Sequence, residues 1–141
     1  MPVEFRNAPR AQVTIPTLVE KIGQQPVSPD LGLAPFYERI AAEPTGIGLK
    51  VPGIIQDLSV NGAFIAAQPF PLLSRLAFTF PLAAFGQVDA IGWVFWRRSA
   101  DATVEIGGRP TTLPAGVGVL FEAVSIEARH AIARLVVGAR P

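Results

Sequence analysis

The sequence predicts a mainly β domain: six or seven short antiparallel strands, arranged as a small barrel or a sandwich, followed by one C-terminal α-helix. Three observations predict it. The chain holds 14 prolines and 13 glycines in 141 residues, and these cut it into short runs. Inside the runs apolar residues alternate, as in Leu76, Phe78 and Phe80 or Val117, Val119 and Phe121. After Ser125 the apolar spacing shifts from a period of two to a helical one.

The elements follow in order. Residues 12–20 carry Val13, Ile15 and Val19 at strand spacing, and Pro16, which lacks an N–H, marks an edge. Residues 23–49 hold four prolines and four glycines and read as a long loop insert. One short helix is expected over 35–42, opened by Pro35. Strands are then expected at 50–57, 62–67, 75–80, 88–97, 103–106 and 116–121, with turns at 99–101 and 107–110. On the 88–97 strand, alternation puts Trp93 and Trp96 on opposite faces, one toward the core. Arg97 and Arg98 read as its solvated end. The helix spans 125–138. Ser125 caps it, Glu127 sits in the first turn where the helix dipole favours a carboxylate, and Gly138 stops it. Ala128, Ala131, Ile132 and Leu135 form one apolar face.

Composition narrows the function. The chain is half hydrophobic, only 16% charged and has a mean hydropathy of +0.39. Its longest uncharged stretch, 58–74, contains Ser59, Asn61, Gly62, Gln68 and two prolines, so no membrane span is expected. The first residues lack a long apolar segment, and a single cytoplasmic domain over 1–141 is the expectation. There is no cysteine and one histidine, His130, which excludes thiolate or multi-histidine metal sites and a cysteine nucleophile. A net charge of +1 gives no global attraction for a nucleic-acid polymer. No nucleophile and base stand at a recognisable spacing, so the reading is non-catalytic and without cofactor.

Two motifs carry chemistry. Arg6 and Arg10 form an R-x-x-x-R on a short N-terminal arm, residues 1–11, stiffened by Pro9. Asp57-Leu58-Ser59-Val60-Asn61-Gly62 fits D/N-x-S-x-x-G, which chance would produce about 0.02 times in such a chain. It lies between two strands and is a turn. Asp57 and Ser59 can bond its backbone, and Gly62 allows a positive φ or a close backbone approach.

An R-x-x-x-R arm, a strand, then D-x-S-x-x-G running into Ala63-Phe64-Ile65 resembles the PilZ domain. Val94-Phe95-Trp96, Gly116-Val117-Gly118-Val119-Leu120-Phe121 and the 126–137 helix extend the likeness, which covers 6–22 and 50–137 and leaves 23–49 as a departure. The resemblance implies a barrel plugged by the helix, and a bacterial receptor for the dinucleotide cyclic di-GMP. It implies that Arg6 and Arg10 grip phosphates and guanine edges, for which a guanidinium fork is suited. Asp57 would accept from guanine N1–H and N2–H2, Ser59 would bond the same base, and Asn61 and Gly62 would present backbone. Phe5, in place of a basic residue before the first arginine, points to one ligand molecule. The expected mechanism is a receptor or adaptor that orders its N-terminal arm on binding. It would signal to a protein partner controlling motility or surface behaviour. The alternative is a PilZ-like protein–protein interaction module that regulates motility without the nucleotide. The 23–49 insert, with Phe36, Tyr37 and Ile40, favours that alternative and is the expected docking segment for the partner.

Overall fold

The computed structural model describes residues 10–24 and 47–138. Eight strands and one helix lie in that range. The strands are β1 (Ala11–Gln24), β2 (Lys50–Leu58), β3 (Gly62–Ala66), β4 (Ser74–Leu82), β5 (Gly86–Arg98), β6 (Ala102–Ile106), β7 (Arg109–Leu113) and β8 (Gly116–Val124). The helix, α1, spans Ile126–Gly138. Six strands close into an antiparallel barrel in the order β1-β2-β3-β8-β5-β4, while β6 and β7 form a separate two-stranded ribbon. The barrel, not a sandwich, is therefore the architecture.

The alternation seen in the sequence is the barrel's inside and outside. Leu76, Phe78, Phe80 and Leu82 of β4 point inward and are buried, as are Val88, Ala90 and Val94 of β5 and Val117 and Val119 of β8. Ile55, Leu58 and Ile65 complete the interior. Ser125 Oγ accepts from the Ala128 N–H at 3.1 Å and caps α1 as expected. The buried helix face is Ala128, Ala131, Ile132 and Val136, which joins the barrel core. No helix among the described residues is long and apolar enough to cross a membrane.

The structure departs from the sequence pattern in three places. First, β1 is longer than 12–20 and is not an edge, being flanked by β2 and β4. Pro16 is tolerated because pairing with β4 begins only at Leu18, so its missing N–H costs no ladder bond on that side. Second, residues 109–113 form a strand that sequence pattern did not show. The ribbon is made by the loop, since Gly107 and Gly108 have φ of 59° and 79° and build a tight two-residue hairpin. Third, Trp93 and Trp96 share the outer face. A bulge between Val94 and Trp96 takes up Phe95 as an extra residue and restores the phase. Both indoles are half-buried against the outside of the sheet. The helix expected over 35–42, most of the 23–49 insert and most of the N-terminal arm lie outside the described residues.

Candidate ligand-binding site

The D-x-S-x-x-G segment joins β2 to β3 as a tight turn. Ser59 organises it. Its hydroxyl accepts from the N–H groups of Asn61 and Gly62, both at 3.2 Å, and donates to the Gly62 carbonyl at 3.3 Å. The Ser59 N–H donates to the same carbonyl at 2.9 Å. With 2% of its surface exposed, Ser59 is a frame for the turn, its polar atoms committed inside it. Gly62 is buried and does not have a positive φ, so of the two roles expected for it only close packing remains.

The turn is tied to the rest of the fold on two sides. The Phe121 N–H of β8 donates to the Asn61 carbonyl at 2.8 Å. Arg129 Nη1 of α1 donates to the Val60 carbonyl at 2.6 Å. The Asn61 side chain is left exposed at the tip.

Asp57 is the penultimate residue of β2, one position ahead of buried Leu58, and its half-exposed carboxylate faces β1. Arg10, just before β1, reaches it: Arg10 Nη1 donates to Asp57 Oδ2 at 3.0 Å. The β1–β2 register explains the meeting, since Ala11 lies opposite Leu58 and Gln12 opposite Asp57. Two residues 47 positions apart, taken from separate motifs, thus share one site. Arg6 lies outside the described residues.

A small depression of about 20 Å³ lies beside this pair, lined by Arg10, Asp57, Ser59, Gly62, Phe64 and Trp96 together with the buried Leu58 and Ala63. One wall is aromatic, which the two sequence motifs do not predict. Phe64 and Trp96 stack with centroids 5.2 Å apart and planes 16° from parallel. They meet because both pair with Gly118, Phe64 from β3 and Trp96 from β5. A Cβ on Gly118 would stand 1.9 Å from Trp96 Nε1. The strand glycine is the sequence signal that a ring lies across it. Arg98, expected to be solvated, lies over this pair instead. Its guanidinium carbon is 5.2 Å from the Phe64 centroid and 5.5 Å from that of Trp96. Its Nη1 donates to the Pro114 carbonyl at 2.7 Å. The site therefore offers a carboxylate, the Arg10 guanidinium and a flat aromatic face, with the Arg98 guanidinium lying over that aromatic pair. That set suits an anionic ligand with planar rings. A larger concavity of about 560 Å³ lies elsewhere, on the outer face, among Leu18, Ala77, Ile91 and Val124. Its charged lining is Lys50 with two carboxylates, Glu20 and Asp89, a balance less suited to an anionic ligand.

A family model described as the PilZ domain matches residues 35–138. The chain belongs to the PilZ domain family. The match takes in the whole β2–β3 turn, starts within the 23–49 stretch and begins after Arg6 and Arg10. Known structures agree on the PilZ fold. The inhibitor of motility MotI/DgrA of Bacillus subtilis superposes with a TM-score of 0.57 at 8% identity, over 94% of this chain and 50% of its own. The PilZ domain of YcgR from Escherichia coli, solved with c-di-GMP, gives 0.52 at 13% identity, over 95% and 90%. MrkH, a c-di-GMP-dependent transcription regulatory factor, gives 0.52 at 12%, over 94% and 50%. The chain thus spans half the length of MotI and MrkH and most of the YcgR domain. Among curated proteins nothing matches. PilZ proteins are receptor and adaptor modules for c-di-GMP, and this PilZ domain carries its arginine, carboxylate and aromatic groups on one side of the β2–β3 turn.

Proposed function

We propose that this PilZ domain is a receptor for cyclic di-GMP, bound in the cleft between Arg10, the β2–β3 turn and Trp96. The observation that carries the reading is the Arg10–Asp57 pair at 3.0 Å beside the Phe64–Trp96 stack. The ligand has two phosphates and two guanines. Arg10, joined by Arg6, grips phosphate and the guanine Hoogsteen edge through forked donors. Asp57 accepts from guanine N1–H and N2–H2. The exposed Asn61 amide reaches the same base or a phosphate. Ser59 and Gly62 hold the turn in shape. Trp96 and Arg98 supply the face on which a base stacks. There is no catalytic step. Through Arg6 and Arg10 the ligand joins the N-terminal residues to the turn, and that junction is the surface read by a protein partner governing motility or surface behaviour.

Titration calorimetry of c-di-GMP against the parent and Arg10→Ala tests it. Loss of one charge-assisted donor weakens binding by about tenfold or more. Binding by the parent with unchanged affinity in Arg10→Ala rejects this site. No binding by the parent rejects the receptor reading itself.

A further inference from the structure

The β6–β7 ribbon stands apart from the barrel, and its surface is unlike that of a free hairpin. A lone two-stranded hairpin is marginal in water. This one is anchored at its base, where Asp101 Oδ1 accepts from the Ala115 N–H at 2.8 Å. Beyond that anchor nearly every residue is exposed. Val104 and Ile106 are 36% and 56% exposed, and with Ala102 they make one apolar row along β6.

The two edges of the ribbon differ. Ile106 and Arg109 flank the two-residue loop and form the hydrogen-bonded pair of the turn. Bonded and non-bonded pairs alternate along an antiparallel ladder. Val104 and Ala102 are therefore bonded to β7, while the N–H and C=O of Thr103 and Glu105 point away from it. On β7 the outward position opposite Glu105 is Pro110, which has no N–H to offer. The β7 edge is blunted and the β6 edge is intact. Among the described residues β6 pairs with β7 alone.

We propose that β6 is the edge through which two copies of this chain pair, antiparallel and symmetric about Val104. The sequence selects that centre. Pairing about Val104 sets Thr103 against the other copy's Glu105, and their outward N–H and C=O groups exchange four hydrogen bonds. Val104 then faces its own copy in a non-bonded pair, where side chains approach most closely. Ala102 faces Ile106, so the two apolar rows merge. The neighbouring centres fail on charge. Pairing about Glu105 opposes two carboxylates, and pairing about Thr103 sets Asp101 against Glu105. A second copy is thus the occupant whose charges and backbone groups fit, and the contact is isologous and closed. Two five-residue strands make a small interface, under about 1,200 Å², of the transient class.

The chain has no cysteine, so single cysteines report the register. Full-length Val104→Cys and Ile106→Cys proteins are oxidised mildly at about 100 µM, a range suited to a transient contact. At the centre of symmetry the two Val104 Cα atoms are about 4.5 Å apart, within disulfide range. The two Ile106 positions are about 14 Å apart along the strands. Val104→Cys forms a disulfide dimer at least about tenfold faster than Ile106→Cys. Adding Thr103→Pro, which removes an outward donor, brings the Val104→Cys rate down to that of Ile106→Cys. Equal rates for the two cysteine proteins, or a Val104→Cys protein that stays monomeric, overturn the proposal.

Discussion

Arg129 on α1 donates through Nη1 to the Val60 carbonyl, 2.6 Å away and 69 positions back in the chain. Val60 sits in the middle of the D-x-S-x-x-G turn, so the helix whose buried face joins the barrel core also holds the candidate site. Replacing Arg129 by Met keeps much of the aliphatic stem and removes the donor. A charge-assisted bond contributes on the order of 1.5–3 kcal/mol, and partial exposure places this one at the lower end. Urea unfolding of Arg129→Met is expected to show a loss of about 1–2 kcal/mol. The exposed Arg134→Met is expected to stay within about 0.5 kcal/mol of the parent. Similar losses in both would mean that the bond to Val60 contributes little.

Gly118 is the floor of the aromatic wall. An added Cβ there falls 1.9 Å from Trp96 Nε1 and 2.4 Å from its Cδ1, so the indole must move. Gly118→Ala is expected to separate Trp96 from Phe64. Overpacking of this kind costs about 1–3 kcal/mol. Tryptophan emission should shift to longer wavelength as the indole leaves the sheet. An unshifted spectrum with parental stability would show that the stack does not depend on this glycine.

What was readable in the chain was what depends on short range. Leu76, Phe78 and Phe80 alternate, and the barrel buries all three. Ser125 caps α1 through the bond that its spacing predicts. Asp57, Ser59 and Gly62 come together around the β2–β3 turn because a turn is local. The misses share another cause. A bulge adds a single residue and has no compositional mark, so nothing in Trp93-Val94-Phe95-Trp96 tells that Phe95 drops out of phase. Residues Arg109–Leu113 begin with a proline after the arginine and contain two threonines, and only the Gly107–Gly108 loop makes them a strand. The Arg98 stack on Phe64 and the Arg129 bond to Val60 each join residues more than 30 positions apart. Such meetings follow from barrel closure and register, which periodicity does not encode.

The two tryptophans separate ligand binding from sheet structure. Trp96 lines the cleft, whereas Trp93 lies under the Arg75 guanidinium, 5.5 Å from ring centroid to carbon, away from it. Base–aromatic stacking contributes about 1–3 kcal/mol per base. With c-di-GMP as titrant, Trp96→Leu is expected to bind about 5- to 100-fold more weakly, and Trp93→Leu to bind like the parent. Emission from Trp96 should be quenched by the nucleotide in the Trp93→Leu protein. Quenching in Trp96→Leu but not in Trp93→Leu would move the ligand to the other side of β5.

Arg75 also pairs with Glu122 across Trp93, donating through Nε at 2.8 Å and through Nη2 to the second carboxylate oxygen. The hydrogen bond from Arg75 holds the Glu122 carboxyl below its ordinary value of 4.5, against the opposing effect of burial. The same bond raises Arg75. A carboxylate whose folded pKa is depressed adds stability above its unfolded pKa, and that share is lost as pH falls through the folded value. Thermal midpoints of the parent and Glu122→Gln are therefore expected to differ most at neutral pH, where the parent is the more stable. The gap should close as pH drops from about 5 toward 3, because the parent loses the pair and the variant has none to lose. The effect is small, since both side chains are about one-third exposed. A gap that is constant across that range would assign the destabilisation to packing against Trp93 and not to the ion pair.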